Sequence, residues 1–178
     1  MREMTNEEYF SKHIPHRINL LITFRERFCS SNSHASLSPS EVWEFYRCSK
    51  DIGILMVRFL LGELGIYVAK GTTEVSESTT KRKHGIQRLT KNDIENDPRR
   101  NNIIQILVAG NRVIAHMDDF ELEQPATIDY DNTVLLDVIN FTEEKIISQM
   151  YEATGRQYED HMSEIEHEMQ RKKMLIQE

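Results

Sequence analysis

Apolar residues recur every three or four positions in four separate stretches of the chain, the period of helices that each bury one face. The first stretch opens on Thr5-Asn6-Glu7-Glu8, which has the form of a capping box. In such a box the threonine oxygen accepts an orphan amide and a glutamate three residues later reaches back. Phe10, Ile14, Ile18, Leu21, Ile22 and Phe28 then carry a stripe through Cys29. Pro15 lacks an amide donor and crowds the preceding turn, which predicts a kink or restart near His13. A serine-rich connection over 30–38 leads to Ser38-Pro39-Ser40-Glu41, where proline at the first helical position marks the start of a second helix. Val42, Phe45, Ile52, Leu55, Met56, Phe59, Leu60 and Tyr67 predict its apolar face as far as Lys70, with Gly71 as the left-handed cap. Gly53, Gly62 and Gly65 weaken this long helix locally but let a partner helix approach closely, which suits a central position.

Residues 72–96 show little periodicity and much Thr, Ser, Lys and Arg, so they read as a long connection with one short helix after Thr90. Asp97-Pro98 repeats the cap-then-proline signal. Ile103, Ile104, Leu107, Val108, Val113 and Ile114 then supply the buried side of a third helix ending near Asp118. After a turn around Gln124-Pro125, the run Val134, Leu135, Val138, Ile139, Ile146, Ile147 and Met150 predicts a fourth helix stopped by Gly155. Tyr158, Met162, Ile165, Met169 and Ile176 form a narrow seam among charges, either a short packing helix or a tail frayed after Gln170. The expectation is an all-α domain, an up-and-down bundle of four to five helices over 1–155, with 156–178 as a C-terminal helix or partly frayed tail of the same domain.

A length of 178 residues suits one well-filled core better than two. No apolar run reaches the roughly 18 residues of a membrane helix. Acids and amides occupy Met1 to Phe10, where a secretory signal would be basic and then apolar, so a cytoplasmic protein is expected. The two cysteines, Cys29 and Cys48, both lie in helical patterns and read as buried free thiols in a reducing compartment. The net charge of -7 argues against generic adhesion to nucleic acid, but it is unevenly spread. Between Lys81 and Arg100, seven cations face three acids, leaving +4 there and -11 on the remainder. Lys81, Arg82, Lys83 and Arg88 are the candidates for guiding a nucleic-acid backbone, with a solvated loop as the alternative.

The segment most suggestive of chemistry is Ala109-Gly110-Asn111-Arg112-Val113-Ile114-Ala115-His116-Met117-Asp118. His116 and Arg112 are four apart and share a helix face, with Asn111 close by across the surface, a grouping able to bind phosphate. The alternative is that His116 caps the negative end of the third helix, with Asp118 and Asp119 opening a loop.

The run Asn111-Arg112-Val113-Ile114-Ala115-His116, followed by Asp118, resembles the motif of the HEPN superfamily. These are helical domains that include metal-independent ribonucleases of toxin-antitoxin and abortive-infection systems. The order of helices is similar from the first helix to Tyr151. In active members an arginine followed by a polar residue precedes the histidine with four to six residues intervening. Here the histidine is His116 and the polar residue Asn111, so the arginine position falls on Gly110, and Arg112 leaves only three residues between. The resemblance implies cleavage of RNA by attack of a ribose 2′-hydroxyl on the adjacent phosphate, without metal or other cofactor. His116 would move protons near neutral pH, Arg112 would hold phosphate oxygens as a displaced substitute, and Asn111 would orient the phosphate or the imidazole. It also implies a homodimer with two motifs facing each other, an RNA substrate and, in a toxin, a restraining antitoxin protein. The second reading keeps the dimer but not the catalysis: an inactive bundle that binds a nucleotide, RNA or a protein.

Other residues weigh less. His13 and His16 are three apart but lack a third metal ligand nearby. His161 and His167 accompany Glu164 and Glu168 on a polar face, and Trp43 reads as a core anchor rather than a base-stacking platform.

Overall fold

A computed structural model describes residues 4–29, 38–79, 85–118 and 131–158, and the side chains of all of these except 27–29 and 112–118. Helix α1, Asn6–Glu8, begins with the reciprocal Thr5–Glu8 capping box that the sequence predicts. It runs into a widened π-helical turn, Tyr9–His13, before α2, Ile14–Thr23, and a second such turn, Phe24–Cys29. The widening falls where Pro15 requires it. Ile14 N–H reaches back five residues to the Tyr9 carbonyl, so the turn accommodates a ring that would otherwise crowd the preceding carbonyls.

Helix α3, Pro39–Glu63, starts on the Ser38–Glu41 capping box with proline in its first turn. It is shorter than its apolar pattern predicts. Leu64 and Gly65 end it, with Gly65 at φ +90°, and Ile66–Val68 leaves as strand β1, pairing antiparallel with β2, Val75–Glu77. The alternation of Ile66 and Val68 inward with Tyr67 outward is a β pattern too short to show against the helical one before it. Gly71, at φ +82°, serves the hairpin connection rather than a helix cap. Within the 72–96 stretch, α4, Lys91–Glu95, follows Thr90 as expected, on a Thr90–Asp93 capping box.

Helix α5, Arg100–Asp118, and α6, Asn132–Ile146, complete the element order. A π-helical turn, Ile147–Tyr151, and a 3₁₀ turn, Glu152–Thr154, carry α6 on to Gly155, left-handed at φ 69°. Side-chain contacts fix the directions. Tyr9 hydroxyl donates to Glu63 at 2.8 Å, and Phe24 packs on Tyr46, so α2 runs antiparallel to α3. Tyr46 donates to Asn132 at 2.7 Å, and a Cβ on Gly53 would lie 3.6 Å from Ile139, so α6 runs with α3. Asn102 donates to Asp137 and Arg99 to Glu144, so α5 opposes both. The four long helices therefore run up, down, up and down, with the hairpin and α4 inserted between α3 and α5.

The core lies among Ile18, Leu21, Leu60, Leu61, Ile103 and Ile139, all fully buried. Each contributes about 1.5–3 kcal/mol relative to exposure. The face of α3 that enters it is Gly53, Ile54, Val57, Leu60 and Leu61, whereas Ile52, Leu55, Met56 and Phe59 are only half-buried. The apolar stripe expected from sequence is thus rotated, because α3 is apolar around more than one face and neighbours on both sides decide which goes deepest. Asn19 is buried with neither side-chain amide atom hydrogen-bonded among the described residues, at a cost of about 1–3 kcal/mol. Two further expectations are corrected. Cys48 is exposed rather than buried, and Trp43 is 59% exposed, stacked on Tyr46 at 5.6 Å instead of anchoring the core. Both lie in the first turns of α3, where Trp43, Glu44, Arg47 and Cys48 are exposed. The C-terminal seam beyond Tyr158 lies outside the described residues.

Trp43 is the sole tryptophan, so intrinsic fluorescence reads this placement directly. We expect folded protein to show red emission that acrylamide quenches readily, and Trp43→Ala to leave the urea midpoint almost unchanged. A blue-shifted, protected emission would return the residue to the core.

Candidate functional site

The second half of α5 meets α3 at Gly110. A Cβ there would lie 2.9 Å from Arg58 Cδ and 3.0 Å from Arg58 Cβ, closer than packed carbons tolerate. The stem of Arg58 therefore occupies the space that a side chain at position 110 would need. Arg58 Nε–H donates to Asn111 Oδ1 at 2.8 Å. Asn111 Nδ2 donates in turn to the Val68 carbonyl of β1 at 2.9 Å. The amide of Asn111 thus uses both its ends as structure, tying α3 and β1 to α5.

This arrangement divides the sequence motif. An α-helix advances about 100° per residue. Asn111 accordingly sits on the α3 and β1 side, roughly 100° from position 112 and 140° from position 116. Positions 112 and 116 share one face and follow the register of Gln105, which is exposed. Helix α5 runs unbroken through Asp118, so the backbone holds Arg112 and His116 one turn apart as the spacing requires, while their side chains lie outside the described residues. Asn111, expected beside the imidazole, has its amide bonded to Arg58 and to the Val68 carbonyl.

Arg58 escaped the sequence reading. It is the sole cation between Lys50 and Lys70, in the middle of an apolar helix, and that isolation was the available signal. Nothing local linked it to Gly110, 52 positions away.

Three cations of the basic stretch, Arg88, Arg99 and Arg100, are engaged within the fold. Lys81, Arg82 and Lys83 lie outside the described residues. Arg88 is half-buried, packs over Gly65 and donates to the Ser78 carbonyl at 2.7 Å, which makes it a clasp on the hairpin. Arg99 pairs with Asp97 and Glu144 and lies over the Phe141 ring, and Arg100 pairs with Glu95. His13 and His16 are exposed, and no group of three metal-ligating side chains occurs among the described residues. No described helix is long and apolar enough to cross a membrane.

The Arg99 guanidinium beside Asp97 holds that carboxyl below its ordinary range, by side-chain bonds first and by the Arg99 amide second. A depressed folded value means the stability is complete above the unfolded value, about 3.9, and is lost as pH falls through the folded one. Asp97→Asn should therefore flatten the fall in urea midpoint between about pH 5 and 2. Equal pH profiles for variant and native protein would refute the pairing.

Gly110→Ala tests the helix contact. Helix propensity favours alanine by about 1 kcal/mol, and overpacking costs about 1–3 kcal/mol, so the substitution should destabilise. In an Arg58→Ala background the 2.9 Å contact with Cδ is gone while the 3.0 Å contact with Cβ stays, so the same change should destabilise less than in the native background. Denaturant curves giving an equal cost in both backgrounds would show that the stem of Arg58 does not fill this space.

Comparison with known proteins adds no relative: no family model, curated protein or solved structure matches the chain.

Proposed function

We propose that the chain is a HEPN-like helical protein that binds RNA, as a homodimer, at the second half of α5 and does not cut it. The observation that carries this reading is the closure of Gly110 by Arg58. At the position that bears an arginine in active members of that superfamily a Cβ would meet the stem of Arg58 at 2.9 Å, and the neighbouring Asn111 is bound on both sides. General acid–base chemistry needs its groups within hydrogen-bond reach of one reacting phosphate. Here Asn111 is turned away from the face that positions 112 and 116 share. What remains suits binding: an arginine and a histidine one turn apart on a continuous helix.

A second reading is a metal-independent endoribonuclease of a toxin-antitoxin or phage-defence system, with His116 and Arg112 catalytic and a partner protein restraining it. It is favoured by the continuity of α5 through Asp118, which keeps the His116–Arg112 spacing helical. In that case each protomer alone would be a poor catalyst, and the partner copy would complete the site.

Incubating pure protein with structured RNA in chelator, beside His116→Ala, separates the two. Binding without cleavage by either protein is expected. Cleavage by the native protein alone would overturn the binding reading in favour of the enzyme. Light scattering at micromolar concentration should give a dimer, and a clean monomer would remove any site composed across two copies.

A further inference from the structure

We propose that Arg58 is a phosphate-binding residue, oriented by Asn111, whose guanidinium takes one backbone phosphate of the bound RNA. The choice of RNA as ligand rests on the reading above, whereas the anion site itself does not.

Arg58 differs from five other half-buried arginines in what neutralises it. Arg25 pairs with Glu143, Arg99 with Asp97 and Arg100 with Glu95, while Arg17 and Arg156 lie over the rings of Phe59 and Phe10. The guanidinium of Arg58 has a neutral partner, the Asn111 amide, and no acid or ring among the described residues. A charge that is partly withdrawn from water without a counter-charge is costly, and the cost falls when an anion arrives.

The geometry is also that of a prepared site. The stem is wedged against Gly110, and Nε is fixed by a 2.8 Å bond, which removes much of the rotamer freedom that an arginine loses on binding. The two terminal nitrogens remain, and their planar fork matches two oxygens of a phosphate. An amide as the orienting group matters here. Aspartate at 111 could still accept from Nε but would cancel the charge and lose the bond to the Val68 carbonyl.

The test uses a fluorescein-labelled single-stranded RNA oligonucleotide, followed by anisotropy over a salt series, and inorganic phosphate, followed by its effect on Tm. Native protein, Arg58→Gln, Arg58→Lys and Asn111→Asp are compared, with circular dichroism confirming the fold. Arg58→Gln should weaken RNA binding about tenfold and lower the salt slope by about 0.7, the value for one single-strand phosphate. Arg58→Lys should keep the slope and recover part of the affinity, since it retains a point charge without the fork. Phosphate should raise the Tm of the native protein but not of Arg58→Gln. If Arg58→Gln does not fold, Asn111→Asp carries the test, with the same losses expected. Phosphate stabilisation that depends on Arg58, with no binding of RNA, would keep the anion site and remove the RNA reading. Unchanged RNA affinity, salt slope and phosphate response in Arg58→Gln, or in Asn111→Asp, would overturn the proposal.

Discussion

The contact on which the rest of this molecule depends is the approach of α3 to α5 at Gly110. Because no Cβ intervenes, the aliphatic stem of Arg58 lies directly on the α5 backbone. Its Nε–H then reaches Asn111, and Asn111 reaches the carbonyl of Val68. One missing methyl group thus brings a helix, a second helix and a strand into register. It also decides that the side of α5 carrying Asn111 is structural, leaving the face of positions 112 and 116 for other use.

The hairpin gains its place from the same junction. Its first strand leaves α3 through Gly65, Ile66 and Val68 bury their side chains, and the Asn111 bond ties its backbone to α5. Arg88 completes the attachment by spanning Gly65 and Ser78. The 72–96 connection is therefore organised at both ends, by β2 and by α4, despite a composition that carries no periodic signal.

Charge follows the same economy. The window from Lys81 to Arg100 is basic in sequence, yet Arg88, Arg99 and Arg100 are each committed to an internal partner. Part of a local excess of cations in sequence is thus lost to the field outside the molecule, because the salt bridges of Arg99 and Arg100 cancel their charges at a distance. Arg58, in a stretch with no charge pattern at all, keeps its charge uncancelled among the described residues.

The capping boxes at Thr5, Ser38 and Thr90, the proline-widened turn before α2, the end of the last helix at Gly155, and the mostly helical, up-and-down order were all legible in the sequence. Each depends on residues within about one turn of one another, so local chemistry suffices. Tertiary structure alone decided which face of α3 goes deepest, that Trp43 and Cys48 stay outside, that Ile66–Val68 pairs as a strand, and that Arg58 meets Gly110. These outcomes depend on partners tens of positions away, and an apolar pattern records how much surface a segment can bury without recording what it will be buried against.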